Sequence, residues 1–141
     1  MASFNKFNAF VENLAEKVHN LGSDTLKVAL TNTAPSSANS TFSDIAEISA
    51  GNGYTAGGTA ATISSSSQTS GTYKLVLADV VFTASGGSIG PFRYAVLYND
   101  TPTSPADPLI GYWDYGSSVT LADTETFTVD FDASSGVLAL A

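Results

Sequence analysis

The chain has 141 residues, and five basic against thirteen acidic side chains give a formal charge of −8, which excludes a surface built to hold nucleic-acid phosphates. Hydrophobic residues at 43% exclude wholesale disorder, while charged residues at only 13% leave a surface made largely of Ser, Thr, Gly and Ala. The lack of cysteine rules out disulfides and zinc–thiolate sites, and no apolar run reaches the ~18 residues that span a bilayer.

The N-terminus has no basic stretch leading into an apolar core and cleavage site, so synthesis in the cytoplasm without a secretory signal is expected. Instead, FNKFNAFVENLAEKVHNLG over residues 4–22 sets Phe4, Phe7, Val11, Leu14, Val18 and Leu21 at helical steps, which predicts an amphipathic helix. Ser3 or Asn5 would cap its start, and Gly22 would take the left-handed position past its end. Phe10 and Ala15 widen the stripe beyond a coiled-coil seam. Such a helix is expected to lie on β-structure of its own or an adjacent subunit; a bundle at a subunit axis and insertion against a partner are the alternatives.

The period then changes to two. TLKVALT turns Leu26, Val28 and Leu30 to one face and predicts a half-buried strand. NTAPSSANST is a loop, and FSDIAEIS reads as one helical turn or a short strand. The clustered glycines of AGNGYTAGGT predict a sharp turn, a bulge or a closely packed crossing. In GTYKLVLADVVFTA the apolar phase slips between Leu77 and Val80, which predicts a bulge near Ala78–Asp79. PFRYAVLY, LIGYWDY, SSVTL, ETFTVDF and GVLAL complete about eight or nine strands at the spacing of a sandwich. The expected fold is therefore mainly β: a single domain, 1–141, with an N-terminal helix (1–22) and a two-sheet β-sandwich (23–141), a jelly roll being the candidate topology.

Candidate chemistry is sparse. His19, the only histidine, falls on the polar side of the predicted helix, where a solvated surface residue is expected. Asp130 and Asp132 share a strand face and, with Asp123 and Glu125, form an acidic patch whose functional reading is calcium and whose simpler reading is a solvated edge. The glycine cluster lacks the Lys-Ser/Thr and following helix of a phosphate loop. Arg93, the sole arginine, has a planar fork suited to a bidentate carboxylate, with Asp100 or Asp114 as partner. In GYWDYG, alternation puts Tyr112 and Asp114 on one face and Trp113 and Tyr115 on the other, so the rings do not form one platform. Core packing or an aromatic rim at a subunit contact is expected there, with glycan stacking as the alternative.

Taken together, LKVALTNTAP, FSDIAEISAGNGYTAGG and GPFRYAVLYNDT…PLIGYWDYGSSVTL…ETFTVDFD…GVLAL resemble small virion proteins encoded among the head genes of tailed bacteriophages, of the head-decoration or capsid-cement type. The resemblance runs from about Leu26 to Leu140 and carries no catalytic signature. It implies a non-enzymatic structural protein without cofactor, assembled as a homotrimer on the outer capsid lattice, with the major capsid protein as partner and neither nucleic acid nor membrane bound. A tail-tube, tail-completion or fibre-base protein is the alternative within the virion. Helical periodicity and the placement of the aromatics, not the resemblance, make Phe4, Phe7, Phe10, Val11, Leu14, Val18, Leu21, Arg93, Trp113 and Tyr115 the candidate interface and packing residues.

Overall fold

A computed structural model describes residues 2–141. In chain order the elements are β1 (Asn5–Lys6), α1 (Asn8–Ala15), β2 (Leu26–Thr31), a 3-10 turn (Phe42–Asp44), β3 (Thr59–Ala61), β4 (Ile63–Thr69), β5 (Thr72–Leu77), β6 (Val80–Thr83), β7 (Ile89–Asn99), β8 (Leu109–Leu121), β9 (Thr126–Val129) and β10 (Leu138–Leu140). The fold is mainly β and sandwich-like, with one short N-terminal helix. A five-stranded antiparallel sheet, ordered β1-β8-β7-β2-β3, faces two smaller pieces, β10-β5-β4 and β6-β9.

The alternation in TLKVALT explains how the layers are held. Leu26, Val28 and Leu30 join the main core, where they meet Leu75 and Leu77 of β5, Val80 and Phe82 of β6 and Val129 of β9. Ala29, between them in sequence, points the other way and packs with Phe7, Val96, Tyr98 and Leu109. The second cluster is closed by Phe42 and Ile45, and Phe42 stacks on Tyr98 with ring centroids 4.2 Å apart. The large sheet is thus apolar on both faces at its centre, which is why β2 and β7 read as nearly continuous apolar runs.

The phase slip at Ala78–Asp79 is not a bulge within one strand. The chain leaves the β10-β5-β4 sheet there and enters β6-β9, so one apolar run serves two sheets. Asp79 marks the corner, its carboxylate accepting the Phe131 backbone N–H at 2.9 Å. LIGYWDY and SSVTL, expected as separate strands, form the single strand β8, paired along β7 through several register shifts. The strand β4, with sequence ISSSSQT, gave no period-two signal because serine fills both faces.

The predicted helix over residues 4–22 shrinks to Asn8–Ala15. At its start, Asn5 and Lys6 pair with Tyr112 and Gly111 of β8, so Asn5 is a strand residue and Phe7 occupies the cap position. A spacing of three places residues on one side of a helix but on opposite sides of a strand. Phe4 accordingly packs against the main core and Phe7 against the second cluster. At its end, Val18 N–H bonds to the Asn13 carbonyl and Lys17 N–H to that of Leu14, the paired bonds of a Schellman stop. Lys17 itself takes the left-handed conformation (φ 70°), so the left-handed stop expected at Gly22 falls at Lys17 instead. Val11 is left 51% exposed and Val18 half-buried, while Leu21 returns to the core from a turn.

Two close approaches depend on glycine. Gly111 lies under the Phe4 ring, where a Cβ would overlap ring carbons. Gly58 (φ 81°) crosses β2, and a Cβ there would overlap the Val28 carbonyl oxygen, a packed crossing of the kind the glycine cluster predicts. Gly58→Ala is expected to lower stability by about 3 kcal/mol, combining left-handed strain with overpacking. Gly71→Ala, at a similar φ of 85° but with open space around it, should cost only about 1 kcal/mol. Urea denaturation of the two variants separates these contributions. By the same measurement Phe7→Ala should cost about 3–5 kcal/mol and Val11→Ala less than about 0.5.

Candidate functional site: an aromatic cleft and a buried histidine

The large sheet and the segment after β9 do not close completely on each other. Between them lies a cleft of about 320 Å³. Its floor comes from β7 and β8, through Phe92, Ala95, Trp113 and Tyr115; its roof comes from Phe127, Val129, Phe131 and Val137. Phe4 closes one end. The rings meet edge-on or tilted: Phe4–Trp113 at 5.4 Å, Trp113–Phe131 at 5.5 Å, Phe92–Phe127 at 4.9 Å and Tyr115–Phe127 at 5.2 Å between centroids. Such arrangements match the positive edge of one ring to the negative face of another. Tyr115 remains 57% exposed at the mouth.

Trp113 and Tyr115 therefore share a face and a cavity, as strand alternation requires, while Tyr112 sits behind the sheet against Phe7 at 5.3 Å. No local pattern in the sequence brings Phe92, Phe127 and Phe131 to the same place. The alternation of Phe127, Val129 and Phe131 was the available signal, but the partner of that face was not.

Polar groups ring the cleft. Arg93 reaches across to β8 and grips Asp114 with two bonds, Nε to Oδ1 at 2.8 Å and Nη2 to Oδ2 at 3.0 Å. Asp114 also accepts the Gly116 N–H, and these donors hold its carboxyl below the usual carboxylate range. The guanidinium lies 5.4 Å from the Tyr94 ring centre. Arg93 is thus engaged within its own chain; the other candidate partner, Asp100, pairs with Lys27 at 3.0 Å. Asp132 accepts from the backbone N–H groups of Ser134 and Ser135 and from the Ser135 hydroxyl, which also holds its carboxyl low. Asp130 and Asp132 lie beyond the end of β9, in and before a turn, and do not project as a pair from a strand. Among the described residues no three His, Cys, Asp or Glu side chains are placed to share a metal ion.

His19 lies elsewhere, and it is not a surface residue: only 5% of it is exposed. The turn after α1 folds it inward beside Phe10, ring to ring at 5.2 Å. Asn99, the last residue of β7, uses one amide N–H on Asp24 Oδ2 at 2.7 Å and the other on His19 Nδ1 at 3.1 Å. Its carbonyl oxygen accepts the Thr101 N–H, which fixes that orientation. Nδ1 must then accept, so the neutral ring carries its proton on Nε2, which is buried without a partner. His19 and Asp24 are near neighbours in sequence, but Asn99, which joins them, lies on a distant strand, and no local pattern announces the cluster. Burial pulls the imidazole down to about 4 from its ordinary 6.5, with Asp24 opposing in part.

No family model, curated protein or solved structure matches the chain.

The His19 cluster has a consequence for acid stability. Its folded value lies below the unfolded one, so the unfolded chain binds more protons between them. The contribution of His19 is complete above about pH 6.5 and declines as pH falls toward 4. Unfolding free energy should drop by about 2 kcal/mol between about pH 7 and pH 5, above the range where carboxylates dominate. Denaturant titrations at several pH values should show this slope, and His19→Gln should flatten it.

Proposed function

We propose that this chain is a non-enzymatic structural protein of a tailed-phage virion, a decoration or cement protein that associates with its own kind and binds the outer capsid lattice through the major capsid protein. The observation that carries the reading is the aromatic cleft with its half-open mouth. It offers buried and half-buried rings, an engaged ion pair at the rim and a volume fit for an apolar side chain, which is the chemistry of a protein–protein hot spot. The only histidine is locked neutral in a different part of the fold, beside an amide and a carboxylate and with no hydroxyl nucleophile bonded to it. The low charge and the resemblance across residues 26–140 support the same reading. Localisation would then be the capsid surface, after synthesis in the host cytoplasm.

Many weak contacts repeated over a symmetric lattice give avidity without a strong single interface. Purified heads should carry the protein at a copy number commensurate with the lattice symmetry axes, read by quantitative electrophoresis or a cryo-electron map. Trp113→Ala with Tyr115→Ala should reduce occupancy on heads while the soluble protein keeps its β spectrum. Heads without the protein, or its appearance only in tails, would refute the proposal.

A further inference from the structure

We infer that β4 is a self-association edge, on which a second copy of this chain pairs its own β4 antiparallel across a two-fold axis. The strand lies at the border of the β10-β5-β4 sheet, paired to β5 on one side only. In an antiparallel pair, alternate residues turn their N–H and C=O groups away from the partner. Among the described residues no other segment bonds to those outward groups on Ile63–Thr69. Soluble proteins ordinarily guard such an edge with lysine, proline, short length or a covering segment. Here β4 has seven residues, no proline and no charge; β1, β3 and β10 have two or three residues each, β6 and β9 have four, and the length of β8 that β1 leaves uncovered carries Asp114.

Charge selects the occupant. Two copies of a chain bearing −8 repel each other unless they meet on neutral ground. From Ile48 to Tyr73 the sequence has no charged residue, and β4 lies within that span. Ser64 to Ser67 also make the strand nearly self-complementary, so antiparallel pairing sets serine opposite serine and creates no like-charge contact. The product is one continuous six-stranded sheet across two chains. Because the contact is isologous it closes at two chains, and a trimer would need a different surface.

The inference rests on the assembly reading above, but the two fail separately. Ser65 and Thr69 alternate with Ser66, whose hydroxyl bonds to Tyr73, so they point away from the core side of β4. In S65K/T69K, light scattering should show the particle mass halved relative to wild type, with dimer affinity weakened at least about tenfold and the β spectrum intact. In the wild-type protein, amide exchange over residues 63–69 should slow as concentration rises. A wild type that stays at the 14.5 kDa of one chain, an unchanged mass in the variant, or exchange independent of concentration would overturn the inference. Heads that lack the protein while the mass still halves would refute the virion reading and leave the two-fold contact standing. An unchanged variant mass on decorated heads would do the reverse.

Discussion

Strands β2 and β7 run side by side in the middle of the five-stranded sheet, and their side chains are buried on both faces. Leu26, Val28, Leu30, Ala95 and Leu97 face the sandwich interior; Ala29, Val96 and Tyr98 face the second cluster behind it. A sheet buried on one side only would need one covering layer. This one needs two, and the chain supplies the second from irregular structure: the Phe7 turn, the 3-10 turn at Phe42 and the loop through Ile45. The long connection between β2 and β3 is accordingly tied down by polar bonds. Glu47 accepts from the Tyr54 hydroxyl and the Gly57 N–H, each at 2.7 Å, while Tyr54 Oη accepts the Leu30 N–H at 3.0 Å. Tyr98 donates to the Gly57 carbonyl at 2.6 Å, and burial pushes both phenols well above their ordinary range. These bonds hold the loop around the sheet, with Phe42 and Ile45 on the rear cluster and Ile48 and Tyr54 in the main core.

The N-terminal segment shows where local periodicity stops being informative. Its phenylalanines fit a helix at every step, yet the segment wraps around the border of the sheet. Phe4 goes to one face, Phe7 to the other, and Phe10 and Leu21 return to the first. The bonds that decide this are made to β8, more than a hundred residues away in sequence. What the helix covers is its own chain's sheet border. The inward turn of His19 is a consequence: once Lys17 stops the helix, the polar face of the expected helix no longer exists as a face.

Elsewhere the sequence was legible in proportion to how much a single strand carried. Alternation in β2 and in ETFTVDF gave correct faces, and the pairing capacity of Arg93 was visible before its choice of Asp114 over Asp100 was. The phase slip at Ala78–Asp79 was a true signal given the smaller of two meanings, since a bulge and a change of sheet both shift an apolar register. The cleft was not legible. It exists because β7–β8 and the β9–β10 connection face each other, and only tertiary structure brings Trp113 to Phe131.

The acidic excess has a structural origin that bears on how the surface should be read. A chain so rich in tight turns leaves many backbone N–H groups without helix or ladder partners. Eight of the thirteen carboxylates accept such groups: Asp24, Asp44, Glu47, Asp79, Asp114, Asp123, Glu125 and Asp132. Negative charge therefore accumulates where the backbone turns. Backbone donors draw the Asp44 carboxyl below its ordinary range, while the Arg93 guanidinium leads at Asp114 and the Ser135 hydroxyl at Asp132, with backbone N–H groups adding to both. With only five cations, most of this charge is balanced by N–H dipoles and solvent, not by ion pairs. A field made this way is distributed over loop tips. The proposed self-association would then avoid the acidic turns in favour of neutral strand borders such as β4, whereas the cleft is lined in part by Asp130 and Asp132.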